Sequence, residues 1–332
     1  MTWYRLGDGY LGIDSEDDPI QERVAALFGE CAVSEPAVPG PRVVCLVRCP
    51  REPSVAVIDF LDPEPLDTFT FAAALFPERG FHEIPSPFPG WRLLGSDSDP
   101  GSTPLAVREP PTRLLAHRTD FWRSLVGNLA VNRLLRLQRD LVFFHAGSVT
   151  VAGCGALLIG PKGSGKTTVS LGLAARGHGF FGDELAGVRL GTLELVPIRR
   201  SASVRAGPAT VGAAWALDRV ESALEPFPDG AIRRRVEVGR LFPGVPPEPA
   251  PLRVIFFLSG WRSGAEALGI RFTPGRADLG MLTPLGSTLW GMSPAPRAMQ
   301  LLRMLSAVRC FRLEAGTPDA TADLVERTLE EC

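Results

Sequence analysis

A chain of 332 residues that is 45% hydrophobic, with a mean hydropathy of +0.10, carries enough apolar side chain for one large or two modest domains. Its formal net charge of −2 supplies no broad basic field, which excludes a dedicated nucleic-acid binder and makes any phosphate chemistry local. No apolar run approaches the roughly 18 residues of a membrane span, and MTWYRLGDGY lacks the segments of a secretory leader, so the expectation is a cytoplasmic protein with no membrane partner.

In chain order, residues 1–84 read as a small α/β unit. LGIDSEDDPIQERVAALFG offers an acidic start and a short amphipathic helix, and RVVCLVRC and SVAVIDFLD alternate as strands. Cys45 and Cys49 would lie about 13 Å apart on one strand, too far for a single zinc. With Cys31, Cys154, Cys310 and Cys332 they read as free thiols. Residues 85–111 are dense in Pro, Gly and Ser and predict a loop or linker. A helix follows over 119–139, its Phe121, Trp122, Leu125 and Leu129 recurring at three and four residues. The period then changes, and DLVFFHAGSVTVAGCGALLIG predicts two or three short strands turned at Gly147 and around Gly153 to Gly155. GKTTVSLGLAAR predicts a helix ending at Gly177, GFFGDE a strand and GVRLGTLELVPI a hairpin. Beyond a proline-rich loop, LFPGVPPEPAP, come a buried strand RVIFFLSGW, a helix over 296–306, a strand VRCFRLEA and a final helix started by Thr317.

Both lysines of the chain, Lys162 and Lys166, lie in GPKGSGKTT, residues 160–168; every other one of its 35 basic residues is arginine. Gly160, Gly165, Lys166 and Thr167 match GxxxxGK[ST], between an apolar strand and a helix, which is the setting of a phosphate-binding P-loop. Glycines at Gly160, Gly163 and Gly165, with Pro161 and Ser164 between them, let successive amides curl around phosphate oxygens, and Thr168 lies in the helical turn that follows. Lys166 reaches the β and γ phosphates and the Thr167 hydroxyl ligates Mg²⁺. Arginine cannot replace Lys166, because its planar fork is too wide to fold back over the loop. Lys162 either adds charge near the γ phosphate or is a solvated loop residue. The implied cofactors are ATP, or another nucleoside triphosphate, and Mg²⁺.

Asp183 follows Thr167 by one helix and one strand, which brings it beside the loop. Of Asp183 and Glu184, one can hold Mg²⁺ while the other takes a proton from an attacking hydroxyl; otherwise they are a surface pair capping a turn. His145, on the strand ahead of the loop, is by itself a buried structural histidine. Arg199, Arg200 and Arg205 are candidates for neutralising phosphoryl charge or gripping an acidic peptide, with Arg205 placed first; Arg233, Arg234 and Arg235 form a second cluster. Solvated surface charge is the alternative for each.

The run HAGSVTVAGCGALLIGPKGSGKTTVSLGLAARGHGFFGDE resembles the catalytic domain of the HPr kinase/phosphorylase family, through His145, the 160–168 loop, Arg176-Gly177-His178 and Asp183-Glu184. With its Gly-Asp-Glu ending and the earlier LGIDSEDDP, the chain more closely resembles divergent HPr-kinase-related kinases, some of which sit in peptide natural-product pathways and phosphorylate a serine of a precursor peptide. The resemblance implies a mixed-sheet α/β fold like that of phosphoenolpyruvate carboxykinase, with the P-loop at its edge. It further implies Asp183 as base with His145 near it, Lys166 and the loop on phosphates, and Thr167 and Glu184 around Mg²⁺. The family's Glu-x-Arg-Gly-x-Gly segment is replaced by VPIRRSASVRAG, so neither reversal by phosphate nor HPr as acceptor is carried over.

The expected organisation is an N-terminal α/β domain over 1–115, ending in the linker, and a kinase domain over 116–332. The expected activity is ATP- and Mg²⁺-dependent transfer to a Ser or Thr hydroxyl of a peptide or small protein. A metabolite kinase and a nucleotide-gated binding module are the alternatives, and a homo-oligomer is left open.

Overall fold

Two units, Met1–Arg139 and Asp140–Cys332, divide the chain in this computed structural model. It describes residues 1–37, 39–51, 54–63, 67–99, 104–109, 112–118, 121–205, 217–218, 220, 223–226, 232–244, 248–261, 268–271, 278–290 and 297–331.

The first unit is built on one nine-stranded sheet. Its strands are β1 (Thr2–Leu6), β2 (Gly9–Ser15), β3 (Ala32–Val33), β4 (Arg42–Arg48), β5 (Val55–Phe60), β6 (Phe81–Ile84), β7 (Arg92–Ser96), β8 (Leu105–Arg108) and β9 (Thr112–His117), ordered β3-β1-β2-β4-β5-β9-β8-β7-β6. Among the described strands of this sheet, only the β2–β4 pair is parallel. Strict alternation in RVVCLVR and VAVIDF sends Val43, Cys45, Val47, Ala56, Ile58 and Phe60 into the core. Helix α1 (Asp18–Phe28) starts where the Asp17 carboxylate accepts from the Ile20 amide, and α2 (Thr68–Leu75) is capped in the same way by Asp67.

Two expectations are corrected here. The Pro, Gly and Ser-rich segment 85–111 is not a linker, because it contains β7 and β8. Its Leu94 and Leu105 are buried, and its prolines and glycines fall in the turns; residues 100–103 and 110–111 lie outside the described set. The boundary falls at 139–140 rather than 115–116, because helix α3 (Trp122–Leu137) packs on β2 and β4. Arg133 on α3 forms a buried ion pair with Asp62 at 2.9 Å, and Gln138 accepts from the Asp8 amide at 2.8 Å. Cutting before α3 would strip the cover from those strands and take the Arg133 partner from Asp62.

The second unit has a larger mixed sheet and a small one. The large sheet contains β10 (Leu141–Phe144), β11 (Gly147–Val151), β12 (Cys154–Ile159), β13 (Gly179–Gly182), β14 (Ala186–Arg189), β15 (Glu194–Val196) and β19 (Ala250–Trp261), ordered β10-β14-β15-β19-β12-β11-β13. Strand β21 (Arg309–Ala315) adds to β19, and β20 (Leu268–Arg271) adds to β21. The small sheet contains β16 (Ala202–Arg205), β17 (Ala223–Pro226) and β18 (Ile232–Val236). β12 runs parallel to β19 and antiparallel to β11, so the strand that leads into the 160–168 loop is internal and does not lie at the sheet's edge.

Every second residue of β12 serves a different core. Leu157 and Ile159 join Phe144, Phe181, Ile255 and Met304 on one face, whereas Ala156 and Leu158 join Val169, Leu173, Phe256 and Val325 on the other. This two-sided burial explains the unbroken apolar run GALLI. Helix α4 (Lys166–Ala175) and the C-terminal helix Pro318–Glu330 supply the second core, and Thr317 caps the latter by accepting from the Ala320 amide. Helices Asp278–Gly286 and Arg297–Ala307 cover the first. Among the described residues, no helix is long and apolar enough to cross a membrane.

Candidate active site

The loop between β12 and α4 turns on two glycines in the left-handed region, Gly163 (φ +84°) and Gly165 (φ +100°), a conformation costly for other residues. Gly160 is required by contact instead: a Cβ there would come within 2.6 Å of Ser164 Oγ and 2.8 Å of the Leu258 carbonyl oxygen. Helix α4 begins at Gly165 without a side-chain cap, so its first-turn amides have no side-chain acceptor. Pro161, Lys162 and Gly163 are exposed and Thr168 is half-buried. Ser164 is buried, and its Oγ has no hydrogen-bond partner.

Lys166 folds back over this loop. Its Nζ donates to the carbonyls of Gly160 at 2.7 Å and Pro161 at 3.1 Å, and the side chain is 7% exposed. Burial lowers the ammonium's pKa, while the Asp183 and Glu184 charges oppose that shift.

Strand β13 delivers the acidic pair. Gly182, just before it, admits no side chain, since a Cβ would meet the carbonyl oxygens of Leu185 at 2.6 Å and Ile198 at 2.8 Å. Asp183 is 1% exposed, and its Oδ2 accepts from Thr167 Oγ1 at 2.9 Å. Its Oδ1 is buried with no partner. Burial first, and the Glu184 charge second, raise the Asp183 pKa to about 6; the Thr167 bond, Lys166 and Arg200 pull the other way. Glu184 sits at φ +66°, a strained backbone for a residue with a Cβ, and pairs with Arg200 Nη1 at 3.0 Å.

His145 lies in the connection between β10 and β11, half-buried. Its amide donates to the Thr288 carbonyl, and its ring stacks on Trp290 with centroids 5.8 Å apart and planes 8° from parallel. Burial pushes the imidazole pKa down; Glu184 opposes this, and Lys166 and Arg200 reinforce it. The neutral form of the ring is thereby favoured, and the Glu184 carboxylate is within its electrostatic reach.

The structure brings Lys166, Thr167, Asp183, Glu184, His145 and Arg200 together. It does not bring in Arg205, which is exposed at the far end of β16, opposite Arg233 of β18 and roughly 16 Å of extended chain from Arg200. Arg199 is half-buried immediately ahead of Arg200. Arg176-Gly177-His178 serves packing: Arg176 Nη1 donates to Asp323 at 2.6 Å and Glu326 at 2.8 Å, and His178 Nε2 meets Glu326 at 2.7 Å, pinning α4 to the C-terminal helix. Trp290 has no motif in the sequence. It is found only through the fold, where it touches both His145 and Arg200, whose Cζ lies 5.9 Å from the indole centroid.

Among the described residues there is no cluster of three His, Cys, Asp or Glu side chains able to hold a metal. The oxygen donors at hand come from Thr167, Asp183 and Glu184. Such a set suits Mg²⁺, which keeps several waters and shares substrate phosphates.

No family model matches the chain, and no curated protein matches it in sequence. Among solved structures it is similar to that of the Hpr(Ser) kinase/phosphatase from Coxiella burnetii, at 14% identity over 57% of this chain and 93% of that one, with a TM-score of 0.27.

Proposed function

We propose that the second unit is an ATP- and Mg²⁺-dependent phosphotransferase that moves a γ-phosphoryl group to a Ser or Thr hydroxyl of a peptide or small protein. One observation carries this reading: a buried carboxylate, Asp183, is hydrogen-bonded to Thr167 in the first turn of the helix that follows a glycine-rich loop. Uncapped first-turn amides and a lysine folded over the loop fit a triphosphate, and the oxygen donors fit a divalent cation. Bound magnesium nucleotide supplies the phosphoryl group and offsets the charge that moves with it.

The chain's own residues do the rest. The Lys166 ammonium leaves the Gly160 and Pro161 carbonyls for phosphate oxygens. Thr167 and Glu184 would hold the metal. Asp183, with a pKa near 6, is ionised at neutral pH yet close enough to it to accept the proton of an attacking hydroxyl. Arg200 keeps Glu184 in place. The acceptor class rests on the resemblance of the His145–Glu184 run to precursor-peptide kinases.

The test is transfer from γ-labelled ATP to Ser- and Thr-containing peptides and to a metabolite set, by wild type and Asp183→Asn. Labelled peptide with wild type only is the expected result. A labelled metabolite and no labelled peptide would favour a small-molecule kinase, and nucleotide binding without transfer to any acceptor, water included, would favour a nucleotide-gated module.

A further inference from the structure

Segment 288–290 is laid against β10 like a short extra strand. The His145 amide donates to the Thr288 carbonyl, the Trp290 amide donates to the Phe143 carbonyl at 2.7 Å, and Phe144 and Leu289 pair as an antiparallel bridge. These bonds fix where the Trp290 indole stands. It stacks on the His145 ring and lies under the Arg200 guanidinium, which in turn grips Glu184 at 3.0 Å. The indole Nε1 is buried with no acceptor, so no hydrogen bond from this nitrogen sets the ring's angle; its faces do. A buried donor left without an acceptor is destabilising, and an aromatic ring without an N–H would serve the same contacts.

We propose that Trp290 is a positioning residue for the carboxylate pair: its indole is the plate that holds Arg200 on Glu184, and it seats His145 beside them. Glu184 needs such support, because its backbone stands in the left-handed region, which for a residue with a Cβ persists only where its surroundings hold it. Without the plate, the Arg200 guanidinium loses one of the surfaces that fix it and its pair with Glu184 loosens, so the oxygen donors for Mg²⁺ spread. Both effects rest on the magnesium–nucleotide site proposed above, and only the effect on phosphate transfer rests also on that site being a kinase's.

The test uses the full chain with Trp290→Ala, Trp290→Leu and Trp290→Phe, and an ATP analogue titrated calorimetrically in EDTA and in Mg²⁺. Losing a group that orients a metal ligand typically weakens metal binding by roughly ten- to hundredfold, and the Mg²⁺-dependent gain in nucleotide affinity should shrink by about that much in Ala and Leu. Affinity in EDTA should stay within about twofold, since phosphate contacts come from the loop. Phe should restore the gain and unfold no earlier than wild type. Where transfer is measurable, the Ala and Leu losses should fall in kcat more than in KM. The proposal is overturned if a folded Leu or Ala variant keeps the full Mg²⁺ gain, or if Phe is as damaged as Leu. Normal Trp290 dependence of Mg²⁺ binding with no transfer to any acceptor would sink the kinase reading alone. A wild type with no Mg²⁺ gain would sink both.

Discussion

Replacing Asp183 by asparagine should stabilise the protein while destroying transfer. The folded carboxyl has its pKa raised from 3.8 to about 6, so above both values the ionised group opposes folding by about 3 kcal/mol. At 1% exposure, solvent does not screen this. Asparagine removes the charge and keeps a carbonyl to accept from Thr167. Loss of charge assistance in that bond costs about 1 kcal/mol, leaving a net gain of about 2 kcal/mol at pH 8. For a unit of this size that is a rise of roughly 4–8 °C in the unfolding midpoint. The pH dependence has a definite sign. Because the folded pKa lies above the unfolded one, the folded carboxyl holds its proton after the unfolded chain has lost it, and the contribution of Asp183 to wild-type stability declines as pH rises from about 4 through about 6. Urea unfolding of both proteins at pH 4, 6 and 8 should show the variant's advantage opening across that window and absent at its acid end. Transfer should drop by at least about 100-fold. A variant less stable than wild type at pH 8, or a stability difference that does not change with pH, would refute the electrostatic argument.

Lys166→Arg should weaken nucleotide binding by at least about tenfold, because the guanidinium cannot fold onto the loop as Nζ does onto Gly160 and Pro161, while Lys162→Arg at an exposed position should leave it within about twofold; calorimetry distinguishes them. Gly182→Ala forces a Cβ against two carbonyl oxygens and should cost about 1–3 kcal/mol, read as a lower thermal midpoint with reduced transfer, since Asp183 is the next residue. Glu326 is held below its usual pKa by hydrogen bonds from His178 and Arg176. Its contribution is therefore full above pH ~4.5 and is lost as pH falls through the depressed value, so Glu326→Gln should cost roughly 1 kcal/mol at pH 7 and flatten the acid limb of the stability curve.

What could be read from the sequence follows from how local each signal is. The alternation in β4 and β5, the two-sided apolar run of β12, Gly177 at φ +89° behind α4 and the Thr317 cap are all set within a few residues, and the elements form where those signals lie. Loop 160–168 and Asp183 fall within one strand-loop-helix-strand stretch, which is why their proximity was legible. Strands β7 and β8 were hidden because the turns around them dominate the local composition, and only pairing with β6 and β9 makes them strands. Helix Asp278–Gly286 was hidden by its internal Pro284, tolerated because Met281 and Leu285 are buried in the core. The α3 boundary and the preference for Arg200 over Arg205 depend on tertiary contacts with no local trace, and Trp290 meets His145 from 145 positions away.

The most direct test of the central claim is a crystal structure of the full chain with Mg²⁺ and a non-hydrolysable ATP analogue. The account predicts phosphates enclosed by the amides of residues 160–168, Lys166 Nζ moved from the Gly160 and Pro161 carbonyls onto phosphate oxygen, and the cation touching Thr167 Oγ1 with Asp183 facing the γ-phosphate. An analogue bound elsewhere, or one bound with Lys166 still on its carbonyls and Asp183 still closed on Thr167, would contradict it.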